Sequence, residues 1–321
     1  MKLISVVTPC YNEEANVAEL HQRVRAAMAL VEGVAYEHIF IDNASTDGTL
    51  RELKEIAAAD RNVRIIVNAR NFGHIRSPYH AMMQVSGDAV MLIVADLQDP
   101  PELIPDFVRK WREGYRIVIG VKSHSDESRA MFAVRRAYYG FLARIGEQAL
   151  VRNFTGFGLY DRQVIEALRA LQEPYPYFRG LISEIGFEPA QIEYSQPVRR
   201  RGITKNNFYS LYDMAMLGIT SHSKVPLRLA TMGGFLLSLA SFAVAIGYLV
   251  VKLLFWDSFS LGLAPLLIGM FFLFSVQLFF IGLLGEYIAT IHTRVMNRPL
   301  VTEKERINFP ESADRFPGRS Q

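Results

Sequence analysis

Two long uncharged stretches constrain most strongly what this chain can fold into. Residues 230–251 and 258–285 contain no Asp, Glu, Lys or Arg. Each stretch exceeds the roughly 20 apolar residues that a helix needs to cross a bilayer. Buried helices of a soluble core are the alternative, but core helices seldom run this far without a polar face. We therefore predict membrane-spanning helices at 229–256 and 258–285.

The residues around these spans predict their orientation. Only "WDSFS" separates the two stretches, so the spans should form a tight hairpin, and Trp256 stands where interfacial aromatic residues are common. Lys and Arg residues precede the first span and follow the second, whereas the linker contains neither. The positive-inside rule then predicts a multi-pass protein of the inner (cytoplasmic) membrane with both termini in the cytoplasm.

Two flanking segments complete this part of the chain. Segment 206–228 has apolar residues at helical spacing, which is typical of core packing or of an amphipathic helix lying on the bilayer surface. We predict residues 286–321 as a cytoplasmic tail, and the Pro-, Ser-, Arg- and Gly-rich end from 308 as disordered.

Composition excludes several classes of protein. A net charge of +3 gives no indication of nucleic-acid binding. A single cysteine, Cys10, excludes an intrachain disulfide and fits a reducing compartment. The N-terminal run "MKLISVVTPCYNEE" lacks a small-residue cleavage site, so we interpret it as a strand and not as a signal peptide.

The first two hundred residues alternate between β-type and helical patterns. Such alternation predicts βαβ units, that is, an α/β domain with a mostly parallel sheet and helices on both faces. The strands are predicted at Leu3–Thr8, His38–Ile41, Val63–Val67, Ala89–Ala95 and Ile117–Val121, and the helices at 13–31, 47–59, 74–86 and 101–112.

A polar cluster follows each of the first four predicted strands. These clusters read "TPCYNEE", "DNASTDGT", "NARNFGH" and "ADLQDPPE". The carboxyl ends of parallel strands share one edge of the sheet, where α/β proteins bind ligands. We therefore predict one composite site made from carboxylates and amides, with candidates Glu13, Asp42, Asn43, Asp47, Asn71, Asp96, Gln98 and Asp99.

The residue types indicate the ligand. The chain lacks the GxGxxG and GxxxxGK[ST] motifs of dinucleotide and P-loop sites, and its seven His are scattered. Asp96 and Gln98 offer hard oxygen ligands at alternate positions, which point the same way on an extended chain. Mg²⁺ or Mn²⁺ suits such ligands and usually also binds substrate phosphates. These residues therefore predict a nucleoside diphosphate bridged by a metal ion.

The cluster after the second strand has two interpretations. Asp42 and Asn43 could hydrogen-bond a base or a ribose. Alternatively, Asn43, Ser45 and Asp47 are residue types favoured in turns and at helix N-caps. We assign Asp42 to the site because it ends the strand, and Asp47 to a cap of the next helix.

The four motifs and the hairpin together resemble the family-2 glycosyltransferases of GT-A fold, over about residues 1–300. More narrowly, they resemble the polyprenyl-phosphate glycosyltransferases, which include dolichol-phosphate mannose synthases and bacterial undecaprenyl-phosphate (bactoprenol) glucosyltransferases. The resemblance implies a GT-A nucleotide-diphospho-sugar transferase domain at 1–205 followed by the two-helix transmembrane hairpin. It also implies a homo-oligomer.

The resemblance assigns roles to individual residues. Asp96 matches the second Asp of the family's Asp-X-Asp motif, and Gln98 matches an additional metal ligand. Pro9, Tyr11, Glu13 and Asp42 would contact the nucleotide-sugar, together with Asn43 and Asn71 from the same clusters. "RRRGITK" resembles a segment next to the family's active site and maps to Arg199, Gly202, Thr204 and Lys205.

The chain departs from the family pattern at three places. Val94 stands where the first Asp of the Asp-X-Asp motif is expected. Gly156 and Gly158, in "TGFGLYDR", replace an acidic and a basic residue. "SPYH" at 77–80 replaces small residues. These positions fall where the family places sugar and acceptor.

The resemblance implies inverting transfer of a sugar, from a UDP-sugar by preference, to a membrane polyprenyl phosphate. A metal ion at Asp96 and Gln98 would neutralise charge on the diphosphate leaving group. A phosphate acceptor is already an anion, so it needs cations to position it more than a general base. Candidates are Arg199 and Lys205, with Arg129, Arg135, Arg136, Arg200 and Arg201 as further cations that could instead form a basic surface for anionic lipid.

Three other functions compete with this one. A processive polysaccharide synthase would carry a Gln-x-x-Arg-Trp motif, and neither Trp111 nor Trp256 has that context. A membrane-anchored nucleotide-sugar-binding scaffold with impaired catalysis is the main alternative, because of Val94 and Gly156. A transporter is disfavoured since two spans without internal charge line no pathway.

Overall fold

The computed structural model describes residues 1–123, 154–196, 225–255, 263–296 and 298–309. The chain divides into two compact units. The first comprises Met1–Tyr139, Gln148–Asn207 and Met296–Gln321, and the second comprises Gly140–Glu147 and Phe208–Val295. Each unit is described by itself.

The first unit begins with four β–α pairs. The strands are β1 (Lys2–Cys10), β2 (Val34–Asp42), β3 (Val63–Asn68) and β4 (Ala89–Leu92), and the helices are α1 (Val17–Ala29), α2 (Thr49–Ala59), α3 (Gly73–Gln84) and α4 (Ile104–Arg112). A short 3₁₀ turn, Pro101–Leu103, precedes α4. Every strand and helix predicted in this stretch is present. The main difference is β4, which ends at Leu92 and not at Ala95 because the chain turns there.

In its described residues, the later part of the unit adds four strands and two helices. Of these, only β5 (Ile117–Lys122) was predicted. The others are β6 (Phe154–Asp161), α5 (Arg162–Leu171), α6 (Phe178–Glu184), β7 (Pro189–Tyr194) and β8 (Glu303–Ile307). The eight strands form one sheet in the order β7-β5-β6-β4-β1-β2-β3-β8.

The sheet is parallel at its centre and contains three antiparallel strand pairs. β4, β1, β2 and β3 are parallel neighbours, and so are β5 and β7. β6 runs antiparallel to both β4 and β5, and β8 runs antiparallel to β3. The parallel centre places the carboxyl ends of β1–β4 at one edge. The predicted α/β class, a mostly parallel sheet with helices, is confirmed.

Two hydrophobic clusters cover the two faces of the sheet. Helices α1, α2 and α4 contribute to one cluster, with Leu20, Leu53 and Phe107 fully buried. Helices α3, α5 and α6 contribute to the other, with Met82 and Leu168 buried. Alternate residues of each strand serve opposite faces, which explains the continuous apolar runs of β1–β4.

The position of β8 corrects the prediction for residues 286–321. This segment was predicted as a tail, but Glu303–Ile307 is an edge strand of the sheet. Its side chains hold it there: Glu303 accepts from Arg306 and contacts His80 at 2.6 Å, and Asn308 donates to the carbonyls of Ala57 and Val63. The polar sequence "EKERI" concealed the strand because edge strands need not be apolar.

The second unit contains two long helices in its described part. They are α7 (Val225–Leu254) and α8 (Leu263–Val295). Both are long and apolar enough to cross a membrane, over Val225–Leu254 and Ile268–Val295. In the most apolar part of each helix, no residue is buried inside the protein. A core helix of a soluble domain would instead be mostly buried. α8 continues about three turns beyond the predicted span end at residue 285, through Val295.

Candidate active site

Side chains tie together the loops that follow β1 and β2. Asn12 has a left-handed backbone, with φ of 58°. Its backbone N–H donates to Ser45 Oγ at 2.9 Å, and its side-chain Oδ1 accepts from the N–H of Thr46 at 2.8 Å. Glu13 N–H donates to Thr49 Oγ1 at 2.8 Å. These bonds fix two walls of the site. The sequence analysis missed Asn12, although Asn tolerates the left-handed region better than other residues with a Cβ.

Pro9, Tyr11 and Glu13 lie at the end of β1, where the sequence placed them. All three are half-buried at the edge of the sheet. The Glu13 carboxylate accepts from Asn16 Nδ2 at 2.6 Å, at the start of α1. Contact of these three residues with a nucleotide stays a prediction.

Asp42 is the last residue of β2 and pairs with Cys10 across the sheet. Its side chain is buried, with 1% of its surface exposed, and accepts from the N–H of Ser45 at 3.2 Å. Burial raises the pKa of Asp42, and the hydrogen bonds from Ser45 oppose that effect. Contact of Asp42 with a base or a ribose stays a prediction.

Asn43 and Asn71 form an amide network between β2 and β3. Asn43 Nδ2 donates to Asn71 Oδ1 at 2.9 Å, and Asn43 Oδ1 accepts from Asn68 Nδ2 at 3.0 Å and from Phe72 N–H at 2.9 Å. Asn71 Oδ1 also accepts from Gly73 N–H at the start of α3. These amides therefore brace the loop after β3, and their predicted contact with the nucleotide-sugar stays a prediction.

Asp47 supports the start of α2, as predicted. Its Oδ1 accepts from the N–H of Thr49, the first residue of that helix, at 3.0 Å. The negative charge also lies at the positive end of the helix. Hydrogen bonds, from Thr49 and Glu14 among others, lower the pKa of Asp47 although burial opposes them.

The segment that carries Asp96 and Gln98 is a turn and not an extended strand. Leu97 between them has φ of 60°, and the N–H of Gln98 donates to Asp96 Oδ1 at 3.1 Å. The expectation that both side chains point the same way because they alternate on an extended chain is therefore wrong. The turn holds the backbone of Gln98 against the Asp96 carboxylate, and both residues are half-buried beyond the end of β4.

Asp99 is a residue whose role the sequence did not assign. It is buried, with 3% exposed, and accepts from the Tyr194 hydroxyl at 3.0 Å. Burial first, and then the nearby charge of Asp96, raises the pKa of Asp99 to about 6. The link to Tyr194 attaches the turn that carries Asp96 and Gln98 to β7, a contact between residues 95 positions apart that no local pattern reveals.

The oxygens near Asp96 fit a hard divalent cation. Among the described residues, no group of three or more His, Cys, Asp and Glu side chains could hold a metal ion by itself. Asp96 and Gln98 supply one carboxylate and one amide. This donor set fits Mg²⁺ or Mn²⁺ that takes its other ligands from substrate phosphates and water.

The two unusual glycines belong to the architecture of β6. Gly156 has φ of 107°, and Gly158 pairs with Leu92 of β4. A Cβ on Gly158 would lie 2.6 Å from the carbonyl oxygen of Val118, so no side chain fits there. The basic residue of the family pattern is therefore sterically excluded at position 158. The acidic residue would have a strained backbone at position 156.

The predicted acceptor cations lie outside the described residues. These are Arg129, Arg135, Arg136, Arg199, Arg200, Arg201 and Lys205, with Gly202 and Thr204 of the same segment. The "WDSFS" linker with Trp256, most of segment 206–228 and the end of the chain from residue 310 also lie outside them.

Comparison with known proteins identifies the family. The pattern of "Glycosyl transferase family 2" matches residues 5–169, from β1 to α5. A glycosyltransferase of Bacillus subtilis, YkcC, described as uncharacterized, is 35% identical over 298 residues, covering 92% of this chain and 91% of the relative. The chain belongs to glycosyl transferase family 2. For this glycosyltransferase, the family match confirms the resemblance that its four loop motifs indicated.

One further relative and one solved structure have named activities. A "SfII prophage-derived bactoprenol glucosyl transferase" of Shigella flexneri is 34% identical over 297 residues, covering 92% of this chain and 96% of the relative. Among solved structures, glucosyl-3-phosphoglycerate synthase from Mycobacterium tuberculosis, in complex with Mn²⁺, UDP and phosphoglyceric acid, is 21% identical. That match has a TM-score of 0.47 and covers 68% of this chain and 76% of the other.

Proposed function

We propose that this glycosyltransferase transfers a sugar from a nucleotide-sugar, by preference a UDP-sugar, to a membrane polyprenyl phosphate. The observation that carries the proposal is the combination of one oxygen-rich sheet edge with two long apolar helices in one chain. The edge offers carboxylates and amides suited to a nucleotide diphosphate. The two apolar helices would place the enzyme in the membrane, where a lipid acceptor lies. The extent of the match to the Shigella relative supports the same reaction.

In this proposal Asp96 and Gln98 hold Mg²⁺ or Mn²⁺ against the donor diphosphate. The ion supplies positive charge where the nucleotide leaves. Asp42 accepts from the base, and Pro9, Tyr11 and Glu13 contact the nucleoside. Asp99 and Tyr194 act by positioning the Asp96 turn. A direct displacement at the anomeric carbon inverts its configuration, because the acceptor phosphate attacks opposite the departing nucleotide.

The acceptor needs orientation more than activation. A lipid phosphate already carries negative charge near neutral pH. The acceptor therefore needs no basic side chain at position 156 or 158 to remove a proton from it. We assign its positioning to Arg199 and Lys205, with Arg129, Arg200 and Arg201 as additional cations. The transmembrane hairpin keeps the enzyme on the surface that holds the lipid, which raises the effective concentration of acceptor.

We propose an inner-membrane location with both termini cytoplasmic, based on the distribution of Lys and Arg around α7 and α8. The amphipathic segment 206–228 then lies on the cytoplasmic surface of that membrane. Association of α7 and α8 with other copies would give a homo-oligomer.

The test is a turnover assay on the full chain in detergent. Undecaprenyl phosphate, Mg²⁺ or Mn²⁺ and a panel of nucleotide-sugars are added, and released nucleotide is measured. We expect one donor to support release that stops with EDTA and in Asp96→Ala. The control is Asp106→Ala, which removes an exposed carboxylate paired with Arg109 on α4. Metal-dependent nucleotide binding without turnover from any donor would instead support the scaffold function.

A further inference from the structure

Three arginines gather beside the outer end of β3 without a carboxylate partner. Arg70 lies in the loop after β3, Arg76 in the first turn of α3, and Arg298 in the chain that leads to β8. In the described part of the protein, none of the three makes an ion pair with Asp or Glu. Like charges repel, so this arrangement is more stable when an anion joins it.

Phe72 organises two of these arginines. The guanidinium carbon of Arg70 lies 4.1 Å from the centre of the Phe72 ring, and that of Arg76 lies 5.5 Å from it. Arg76 also donates to the carbonyl oxygen of Pro299, next to Arg298. The ring and this carbonyl hold the guanidinium groups in place, so little ordering is left for a ligand to provide.

Arg76 has a donor that the protein does not use. Its Nε is buried and has no hydrogen-bond acceptor in the described structure. Burial first, and then the charges of Arg70 and Arg298, lowers the pKa of Arg76, with a small opposing influence from Tyr175. An oxyanion beside the guanidinium groups of Arg70, Arg76 and Arg298 would offset this repulsion.

The cluster is separate from the proposed donor site. Asp96 follows β4, and three strand spacings separate β4 from β3 in the order β4-β1-β2-β3. Strands lie about 4.8 Å apart, so the two locations are roughly 14 Å apart along the edge. One diphosphate cannot occupy both places.

We propose that Arg70, Arg76 and Arg298 form a second phosphate-binding site, distinct from the donor site at Asp96. Guanidinium groups match the planar geometry of two phosphate oxygens, which favours phosphate over anions that cannot present two oxygens side by side. The phosphate can belong to a lipid headgroup or to a soluble molecule, and the experiment separates these sources.

The experiment measures binding and requires no turnover, so its result is independent of the transfer reaction. The full chain in detergent is titrated with inorganic phosphate in one arm and with dioctanoyl phosphatidylglycerol in the other. Dioctanoyl phosphatidylcholine, which carries no net charge, is the control ligand. The thermal unfolding midpoint reports binding by mass action.

Two variants make the titration specific. Arg70→Gln/Arg298→Gln removes two exposed charges and keeps the bond from Arg76 to Pro299. Arg109→Gln removes an exposed charge on α4 as the matched control. We expect the double variant to bind about 25-fold more weakly, since each of the two arginines contributes about fivefold, and Arg109→Gln to bind as the wild type does.

The two arms then assign the source. If the double variant loses affinity for phosphatidylglycerol alone, the site binds a lipid headgroup. If it loses affinity for inorganic phosphate, the site binds soluble phosphates. The proposal is overturned if neither ligand raises the midpoint of the wild type. It is also overturned if the double variant retains wild-type affinity, or if Arg109→Gln loses as much.

Discussion

Two carboxylates at different parts of the sheet edge differ in how many hydrogen bonds they receive from the protein. Asp96, after β4, is half-buried and receives one hydrogen bond in the described structure, from the N–H of Gln98. Glu303, on β8, is buried between Arg306 and His80 and receives several. The protein satisfies Glu303 completely and leaves Asp96 with capacity for a ligand. The number of protein partners, more than residue type, separates the carboxylate that we propose as a metal ligand from a structural one.

The largest effect is expected at Asp96, on activity alone. Asp96→Asn keeps the size of the side chain and removes the charge that would hold the metal. We expect turnover to fall by about 10²–10³-fold, as when one electrostatic group of an active site is lost. The unfolding midpoint should stay within a few degrees of the wild type. A variant that retains turnover would remove Asp96 from the site.

The second effect is expected at Glu303, on stability. Burial raises the pKa of Glu303, but hydrogen bonds from Arg306 and His80 outweigh it and lower the pKa to about 2. Glu303→Gln should destabilise the protein by about 3 kcal/mol because two cations lose their anion. Chemical denaturation measures this, with Glu305→Gln on the same strand as control.

The low pKa of Glu303 also predicts a pH dependence. Its contribution to stability is fully present above the unfolded value of 4.5. It is lost as pH falls through that value towards 2, because protonation then favours the unfolded state. Glu303→Gln should therefore flatten the acid side of the stability profile. An unchanged profile would contradict the ion-pair interpretation.

The third effect concerns Gly158. A Cβ there would meet the Val118 carbonyl at 2.6 Å and the Tyr160 hydroxyl at 2.9 Å. Gly158→Ala should cost about 2 kcal/mol of stability through this overpacking. Serine at the same position should cost more. If alanine were neutral, β6 would not be the rigid neighbour of the β4 end that the site requires.

The fourth effect comes from a buried histidine pair. His38 is fully buried, its Nε2 lies 3.0 Å from Thr8 Oγ1, and its Nδ1 lies 3.5 Å from His21 Nδ1. Burial lowers the pKa of both histidines. Their stabilisation is present above the unfolded value of 6.5 and is lost as pH falls below it.

We expect the unfolding midpoint to fall between pH 7.5 and pH 5.5, by an amount equivalent to about 1 kcal/mol. His38→Asn should reduce the slope with pH, whatever it does to stability at pH 7.5. An identical slope in wild type and variant would mean that these histidines are charged in the folded protein.

The smallest effect is expected at an exposed ion pair. Lys54 Nζ lies 2.9 Å from Glu305 on β8, and both side chains are more than two-fifths exposed. Lys54→Ala should change the free energy of unfolding by less than about 0.5 kcal/mol, because solvent screens such pairs. A cost comparable to that of Glu303→Gln would show that distance alone, and not burial, determines the value of a pair on this strand.

The parallel centre of the sheet was predictable, and its flanks were not. β1–β4 carry apolar runs between clear helical patterns, so period and turn residues identify them. β6 carries two glycines, and β8 is charged and begins at Glu303, far along the chain from the end of β7 at Tyr194 and beyond both apolar helices. Long-range pairing of this kind leaves no local signature.

The candidate site divides in the same way. Asp42 and Asp96 were predictable from the sequence, because each is a polar residue at the end of a buried apolar run. The bond from Tyr194 to Asp99 and the amide network of Asn43 depend on contacts between distant segments. The wrong geometry expected for Asp96 and Gln98 has a similar cause, since a left-handed Leu97 is unusual and its sequence gives no hint of it.

The most direct test of the central claim is a mass measurement on the lipid. The wild type and Asp96→Ala are each incubated with undecaprenyl phosphate, Mg²⁺ or Mn²⁺ and the donor that supports nucleotide release, and the lipid is extracted. We predict that the wild type raises the mass of undecaprenyl phosphate by one sugar residue and that Asp96→Ala leaves it unchanged. Undecaprenyl phosphate of unchanged mass after nucleotide release by the wild type would contradict transfer to the lipid.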